Sequence, residues 1–155
     1  MIETLTDLLS QINSKILFVG IGNVLKQDDG IGVYISRKIK KNPVISVITA
    51  EVSIENYIGK INQLNPDILV LIDCVDIKKR PGSYALLNVS QIQDQTFNTH
   101  NISLKRLSEF FHMPVFILGV QPEKIEFGEN ISYLVKNVAD KIINQINTKE
   151  VHYGR

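Results

Sequence analysis

The stretch DILVLIDCV, residues 67–75, begins with Asp67 and continues as an apolar run that carries a second acid, Asp73, near its end. Continuous apolar runs are typical of the central strands of a parallel sheet, because both faces of such strands are covered by helices. We therefore predict that residues 67–75 form a buried strand with Asp73 at its carboxyl end. A carboxylate taken out of water must be paired, hydrogen-bonded or metal-bound. Asp73 is thus the first candidate site residue.

Apolar runs and amphipathic stretches alternate on both sides of this strand. Strands are predicted over residues 15–20, 44–52 and 113–120, and over part of 78–89, which follows a Pro-Gly turn and could pair antiparallel at an edge. Helices are predicted over residues 28–41, 53–64, 101–111 and 131–146. This alternation predicts an α/β fold, in which helices flank both faces of a twisted, mostly parallel, five-stranded sheet.

The length of 155 residues suits one domain. We place this domain over residues 15–147, after an N-terminal extension over 1–14 and before a tail over 148–155. Apolar residues in the extension have helical spacing and predict an additional amphipathic helix; they are Ile2, Leu5, Leu8, Leu9 and Ile12.

Composition excludes several classes of protein. Because 17 basic residues nearly balance 16 acidic ones, a nucleic-acid partner is not indicated. No apolar stretch reaches the roughly 18 residues that suggest a membrane span, and the N-terminus lacks a signal-peptide pattern. The single cysteine, Cys74, has no partner for an internal disulfide. We expect a cytoplasmic monomer without membrane insertion.

Candidate site residues follow the predicted strands. In open α/β sheets, ligands bind beyond the carboxyl ends of the strands. The first strand leads into a loop that holds Asp29, the third ends at Asp73, and the fourth ends near Asn88 and leads to His100. We therefore expect Asp29, Asp73 and His100 to lie at one edge of the sheet. Their mixed oxygen and nitrogen donors suit nickel or zinc better than calcium.

Two further acids lie close to this set in the sequence. Asp28 and Asp29 open a predicted helix, so we expect one of them to cap it and the other to be available for a metal or as a base. Asp76 lies nearer Lys78 and Lys79, which favours a surface ion pair. The sequence leaves open whether Asp28 or Asp76 contributes to the site.

Other chemistries match the sequence poorly. Gly20 and Gly22 follow a strand, but Leu25 stands where a dinucleotide-binding loop needs its third glycine. A phosphate-binding Gly-Lys-Ser/Thr, a GxSxG elbow and an HExxH helix are all absent from the sequence. Cys74 lies at an apolar strand end, where a thiolate is disfavoured. The glycines are better explained by tight turns and close packing.

Five further segments, taken in order, are GIGNVLKQDDGIG (20–32), VLIDCVD (70–76), KRPGSY (79–84), THNISL (99–104) and ILGVQPEKIEFGENIS (117–132). Together they resemble the hydrogenase maturation endopeptidases. The resemblance implies a twisted α/β sheet between helices. It also implies that Asp29, Asp73 and His100 contact a metal, and that Asp29 and Asp73 are the catalytic acids.

The resemblance further implies one activity. A nickel-dependent, aspartyl-type endopeptidase of this family removes the C-terminal extension of a nickel-iron hydrogenase large-subunit precursor once nickel is in place. The precursor is then the partner, nickel is supplied by the substrate, and no nucleotide is required. The competing hypothesis is a non-catalytic module of the same α/β class that senses nickel or binds a nucleotide.

Overall fold

The computed structural model describes residues 1–89 and 103–149, and within these ranges five strands form one sheet. The strands are β1 (Ile16–Ile21), β2 (Ile45–Glu51), β3 (Ile68–Cys74), β4 (Tyr84–Asn88) and β5 (Val115–Val120). Their spatial order is β2-β1-β3-β5-β4. The pairs β1–β2, β1–β3 and β3–β5 are parallel, whereas β4 pairs antiparallel with β5 at one edge. The predicted mostly parallel, five-stranded sheet is confirmed.

Helices lie before, between and after these strands in the chain. They are α1 (Leu5–Leu9), α2 (Ile31–Lys38), α3 (Ile58–Leu64), α4 (Leu104–Leu107) and α5 (Tyr133–Asn147), and short 3₁₀ turns span Gln27–Gly30, Ile54–Tyr57 and Ser108–Phe110. None of the helices in the described ranges is long and apolar enough to cross a membrane.

Alternation of side chains along the central strands builds a core on each face of the sheet. Phe18 and Val70 face one layer, which includes Ile35 of α2 and Ile142 of α5. Val19 and Leu71 face the other layer, which includes Ile61 of α3 and Leu107 of α4. Every residue of β1 and β3 is buried, as expected for strands that are covered on both sides. Helices therefore flank both faces, as predicted.

Helix starts differ from the sequence-based predictions. The helix predicted over 28–41 has its α-helical part at Ile31–Lys38, and the helix predicted over 53–64 begins as a 3₁₀ turn in which the Ser53 side chain makes no capping hydrogen bond. In contrast, Thr4 caps α1 in a reciprocal capping box with Asp7. This helix is shorter than the predicted amphipathic stretch, and Ile12 is exposed.

The antiparallel edge strand that the sequence allowed is confirmed, and its direction makes one step of the site prediction wrong. Asn88, its last residue, pairs with Phe116 near the start of β5, whereas Tyr84 pairs with Val120 at the end of β5. The chain therefore leaves β4 at the edge of the sheet opposite to Asp73. His100 itself lies outside the described residues.

Candidate functional site

Asp73 lies at the carboxyl end of β3, in register with Gly119 of β5. Its side chain is fully buried, and its Oδ1 accepts a hydrogen bond of 2.8 Å from the backbone N–H of Cys74. The predicted position of Asp73 at a buried strand end is therefore confirmed. The sheet holds this carboxylate rigidly, since β3 is paired on both sides.

Asp29 lies in the acid turn, our name for the 3₁₀ turn Gln27–Gly30. Its side chain is 1% exposed, and its Oδ2 accepts a hydrogen bond of 3.0 Å from the backbone N–H of Asn23. The loop folds back on itself: Gly22 has a φ of 138°, and a Cβ at Gly22 would overlap the Asp29 carbonyl oxygen. The acid turn also packs against β3, the strand that carries Asp73.

The Cys74 thiol shows how closely the acids are grouped. Burial raises the pKa of this thiol, and the negative charges of Asp73, Asp29, Asp28 and Asp76 raise it further. All four carboxylates therefore lie near enough to act electrostatically on one buried atom. Because Cys74 is 1% exposed and its thiolate is disfavoured, a cysteine nucleophile is excluded here.

Asp28 has a role that the sequence did not reveal. Its Oδ2 accepts hydrogen bonds from the backbone N–H groups of Glu123 (2.8 Å) and Lys124 (2.9 Å). Ser132 donates its backbone N–H to Asp28 Oδ1 (2.6 Å) and its hydroxyl to Asp28 Oδ2 (2.7 Å). This fully buried carboxylate thus binds both ends of residues 121–132, which we call the closing loop.

The expectation that one of the paired acids caps the following helix is wrong. The N-cap of α2 is Gly30, and it makes no side-chain capping hydrogen bond. Asp28 lies instead at the start of α5, where Ser132 is the N-cap residue. A negative charge at a helix N-terminus is favourable, because the free N–H groups there carry partial positive charge.

Backbone hydrogen bonds also join the closing loop to the loop before α2. Gln27 N–H donates to the Gly128 carbonyl at 2.7 Å, and Gly128 N–H donates to the Leu25 carbonyl at 2.8 Å. At the start of the closing loop, Gln121 Oε1 accepts a hydrogen bond of 2.7 Å from the Ile77 N–H. Two of the segments that resemble family motifs, residues 20–32 and 117–132, are therefore bonded to each other.

Asp76 forms the surface ion pair that its neighbours predict. The Lys78 Nζ lies 2.9 Å from Asp76 Oδ2. Hydrogen bonds from the Lys78 side chain and backbone lower the pKa of Asp76.

Two of the three predicted metal ligands lie within the described residues. Asp29 and Asp73 are both buried at the carboxyl edge, but across residues 1–89 and 103–149 no group of three or more His, Cys, Asp or Glu side chains is arranged to hold a metal ion. Carboxylate oxygens would fit a divalent ion. The third predicted ligand, His100, falls in the stretch between these ranges and stays a prediction.

An open groove of about 600 Å³ lies beside the acid turn. Gly22, Asn23 and Val24 line one side, and Glu51 and Asn56 belong to the other. Asn23 is also the residue whose backbone holds Asp29, so the groove adjoins the acid site. Sequence reasoning missed the groove, because its two sides are brought together only by the pairing of β1 with β2.

The fold and the site define a class: an α/β protein whose parallel sheet carries two buried aspartates at its carboxyl edge, beside an open groove. A family model described as hydrogenase maturation protease matches residues 31–149. A Methanocaldococcus jannaschii protein named for the same family is 30% identical over 158 residues, which cover 93% of this chain and 92% of that relative. The chain belongs to the hydrogenase maturation protease family, and its activity class is that of a maturation endopeptidase.

Solved structures show the same fold. A nickel-iron hydrogenase maturation protease from Thermococcus kodakarensis has a TM-score of 0.80 and 25% identity, with 92% of this chain and 96% of that chain covered. An endopeptidase from Escherichia coli has a TM-score of 0.73 and 26% identity, with 86% and 89% covered. The likeness thus extends over nearly the whole length of each protein.

Proposed function

We propose that this chain removes the C-terminal extension from the large-subunit precursor of a nickel-iron hydrogenase after nickel has been inserted. Family membership supports the endopeptidase class. The observation that carries the proposal is the placement of two buried aspartates, Asp29 and Asp73, at the carboxyl edge of the sheet, with an open groove next to the loop that holds Asp29. A nickel-sensing or nucleotide-binding module is the alternative hypothesis.

In this proposal, nickel belongs to the substrate. Asp29 and Asp73, with His100 as the third ligand, bind the nickel ion that is already seated in the precursor. A carboxylate of the site accepts a proton from the attacking water, and nickel supplies Lewis-acid polarisation. Water adds to the scissile carbonyl carbon, the carbon–nitrogen bond breaks, and the leaving amine takes up a proton. Cleavage then waits until nickel is in place.

The first test is intact mass spectrometry of a nickel-loaded large-subunit precursor after incubation with the protein, beside a nickel-free precursor. We expect the loaded sample alone to lose one defined C-terminal peptide. Cleavage of both samples would reject the nickel requirement. If no precursor from the same cell changes mass, the binding module becomes the better hypothesis.

The second test removes the proposed ligands one at a time. Asp29→Asn, Asp73→Asn and His100→Ala are each expected to lower the cleavage rate by at least about 100-fold, because a ligand or proton acceptor is lost. Circular dichroism and thermal unfolding check that each variant folds. Asp76→Asn, which alters an exposed ion pair, is the control and should cleave at the wild-type rate. Full activity in one of the three variants would exclude that residue.

A further inference from the structure

The groove beside the acid turn has one side whose backbone is held in an unusual conformation. Glu51, at the end of β2, has a φ of 57°, which residues other than glycine rarely adopt. The pairing register of β1 and β2 shifts at this point, so that Ile21 faces Glu51. Bulges and positive-φ residues are frequent next to active sites, where they redirect side chains.

Two backbone hydrogen bonds keep this conformation in place, one from the opposite side of the groove and one within the same side as Glu51. Gly22 N–H donates to the Glu51 carbonyl at 3.0 Å, and Ser53 N–H donates to the Ala50 carbonyl at 3.2 Å. Gly22 belongs to the loop in which Asn23 holds Asp29. The position of Glu51 is therefore fixed relative to the candidate catalytic acid.

The charge of the groove is negative. Glu51 is the one charged residue among the described residues that line it. The Glu51 side chain is exposed and makes no hydrogen bond or ion pair with any other described residue. Asp29, behind Asn23, adds a second negative charge from the protein side. Lys26 and Glu55 are close in sequence, but neither lines the groove.

The groove has the size and polarity of a ligand site. Its volume of about 600 Å³ lies within the usual range for such sites. Asn23, Ser53, Asn56 and Tyr57 offer hydrogen-bonding groups along it. An extended peptide matches this lining, because its backbone supplies donors and acceptors at regular intervals.

We propose that this groove holds the substrate segment next to the scissile bond, and that Glu51 selects a basic side chain in that segment. The inference rests on the proposed function and names the recognition element of the same site. Glu51 is a specificity residue in this scheme: it binds a lysine or arginine of the substrate, and the reacting bond lies toward Asp29.

A double-mutant cycle tests the pairing. Glu51→Gln is combined with precursors in which each Lys or Arg near the cut is replaced in turn by Gln, and KM and kcat are measured for release of the C-terminal peptide. We expect Glu51→Gln to raise KM about fivefold, as for a partly exposed ion pair, with little change in kcat. It should have no further effect on the precursor that already lacks the partner side chain.

Two controls separate this role from a structural one. Glu55→Gln removes the same charge from an exposed residue outside the groove and should leave KM unchanged. Added salt should raise KM of the wild type more than that of Glu51→Gln, because salt screens the ion pair. Thermal unfolding of both variants checks that they fold like the wild type.

The outcomes distinguish this inference from the proposed function. If the wild type cleaves the precursor but no substrate position couples to Glu51, the inference is wrong and the endopeptidase stands. If the wild type leaves the precursor uncut, the same cycle is run on binding of a fluorescent peptide with the precursor's C-terminal sequence. If Glu51 and a basic substrate residue are coupled in peptide binding although no cleavage occurs, the groove proposal stands and the endopeptidase is rejected. If they are not coupled in binding either, both the groove proposal and the endopeptidase are overturned.

Discussion

At the scale of single residues, the adjacent aspartates Asp28 and Asp29 make different contacts. Asp28 accepts four hydrogen bonds from the closing loop and the start of α5. Asp29 is held by Asn23 beside the groove. Successive side chains in a 3₁₀ turn point about 120° apart, because the turn has three residues. The Asp28 carboxylate can therefore hold the closing loop while the adjacent Asp29 carboxylate faces the candidate site.

This division predicts different phenotypes for the two acids. Asp28→Ala should lower the free energy of unfolding by about 3–5 kcal/mol, because it leaves four part-buried donors without their charged acceptor. Urea denaturation measures the loss, and Asp76→Asn, at an exposed ion pair, serves as the control with no measurable change. An Asp28→Ala protein of wild-type stability without cleavage activity would place Asp28 in the chemistry instead.

At the scale of secondary-structure elements, α2 sits unusually close to the sheet. A Cβ at Gly32 would overlap the backbone carbonyl oxygens of Ile72 and Ile21. The first turn of α2 therefore lies directly on the carboxyl ends of β1 and β3. This contact sets the distance between the acid turn, which precedes α2, and Asp73 at the end of β3.

A pair of glycine substitutions tests this packing. Gly32→Ala should destabilise the protein by about 1–3 kcal/mol, since overpacking outweighs the gain in helix propensity. Gly59→Ala in α3 is the matched control: no atom lies within 4 Å of its added Cβ, and a gain of up to about 1 kcal/mol is expected. Thermal or urea unfolding compares the two. If both substitutions changed the free energy of unfolding equally, the packing of α2 on the sheet would not require a glycine at position 32.

At the scale of the whole molecule, the sheet separates two apolar layers, and Cys74 belongs to one of them. It is the single cysteine of the chain. Because burial and nearby carboxylates raise the pKa of its thiol, Cys74 stays protonated in the native state at pH values where an unfolded chain would lose that proton. Its ionisation is thus linked to global unfolding.

This linkage predicts how stability depends on pH. Above about pH 8.5 the unfolded chain binds fewer protons than the native state, so the free energy of unfolding should fall by up to about 1.4 kcal/mol per pH unit from this group. The free energy of unfolding is measured for the wild type and Cys74→Ala between pH 7 and 10. The difference between the two slopes of this free energy against pH gives the contribution of Cys74. Burial also raises the pKa of Tyr34, but Tyr34 is present in both proteins, so its contribution cancels in the difference. Identical slopes would mean that the native thiol ionises normally.

Local patterns in the sequence were sufficient for much of this structure. Continuous apolar runs identified the buried strands, because a strand covered on both faces has no solvated side. Ile31, Ile35 and Ile39 are spaced four residues apart, which is typical of one face of a helix, and all three are buried. The acids at Asp29 and Asp73 followed from one rule, that parallel strands present their carboxyl ends at a common edge.

The sequence by itself thus determined the elements, the parallel centre of the sheet and the two acids, because each depends on residues that are close along the chain. The sequence allowed an antiparallel edge strand within residues 78–89, but only the tertiary structure gave its register with β5, which puts Asn88 at the far edge. The tertiary structure also decided the partners of Asp28, which are 95 to 104 residues away, and the groove around Glu51. Such pairings depend on strand order and register, and these are set by packing of the whole core rather than by any local pattern.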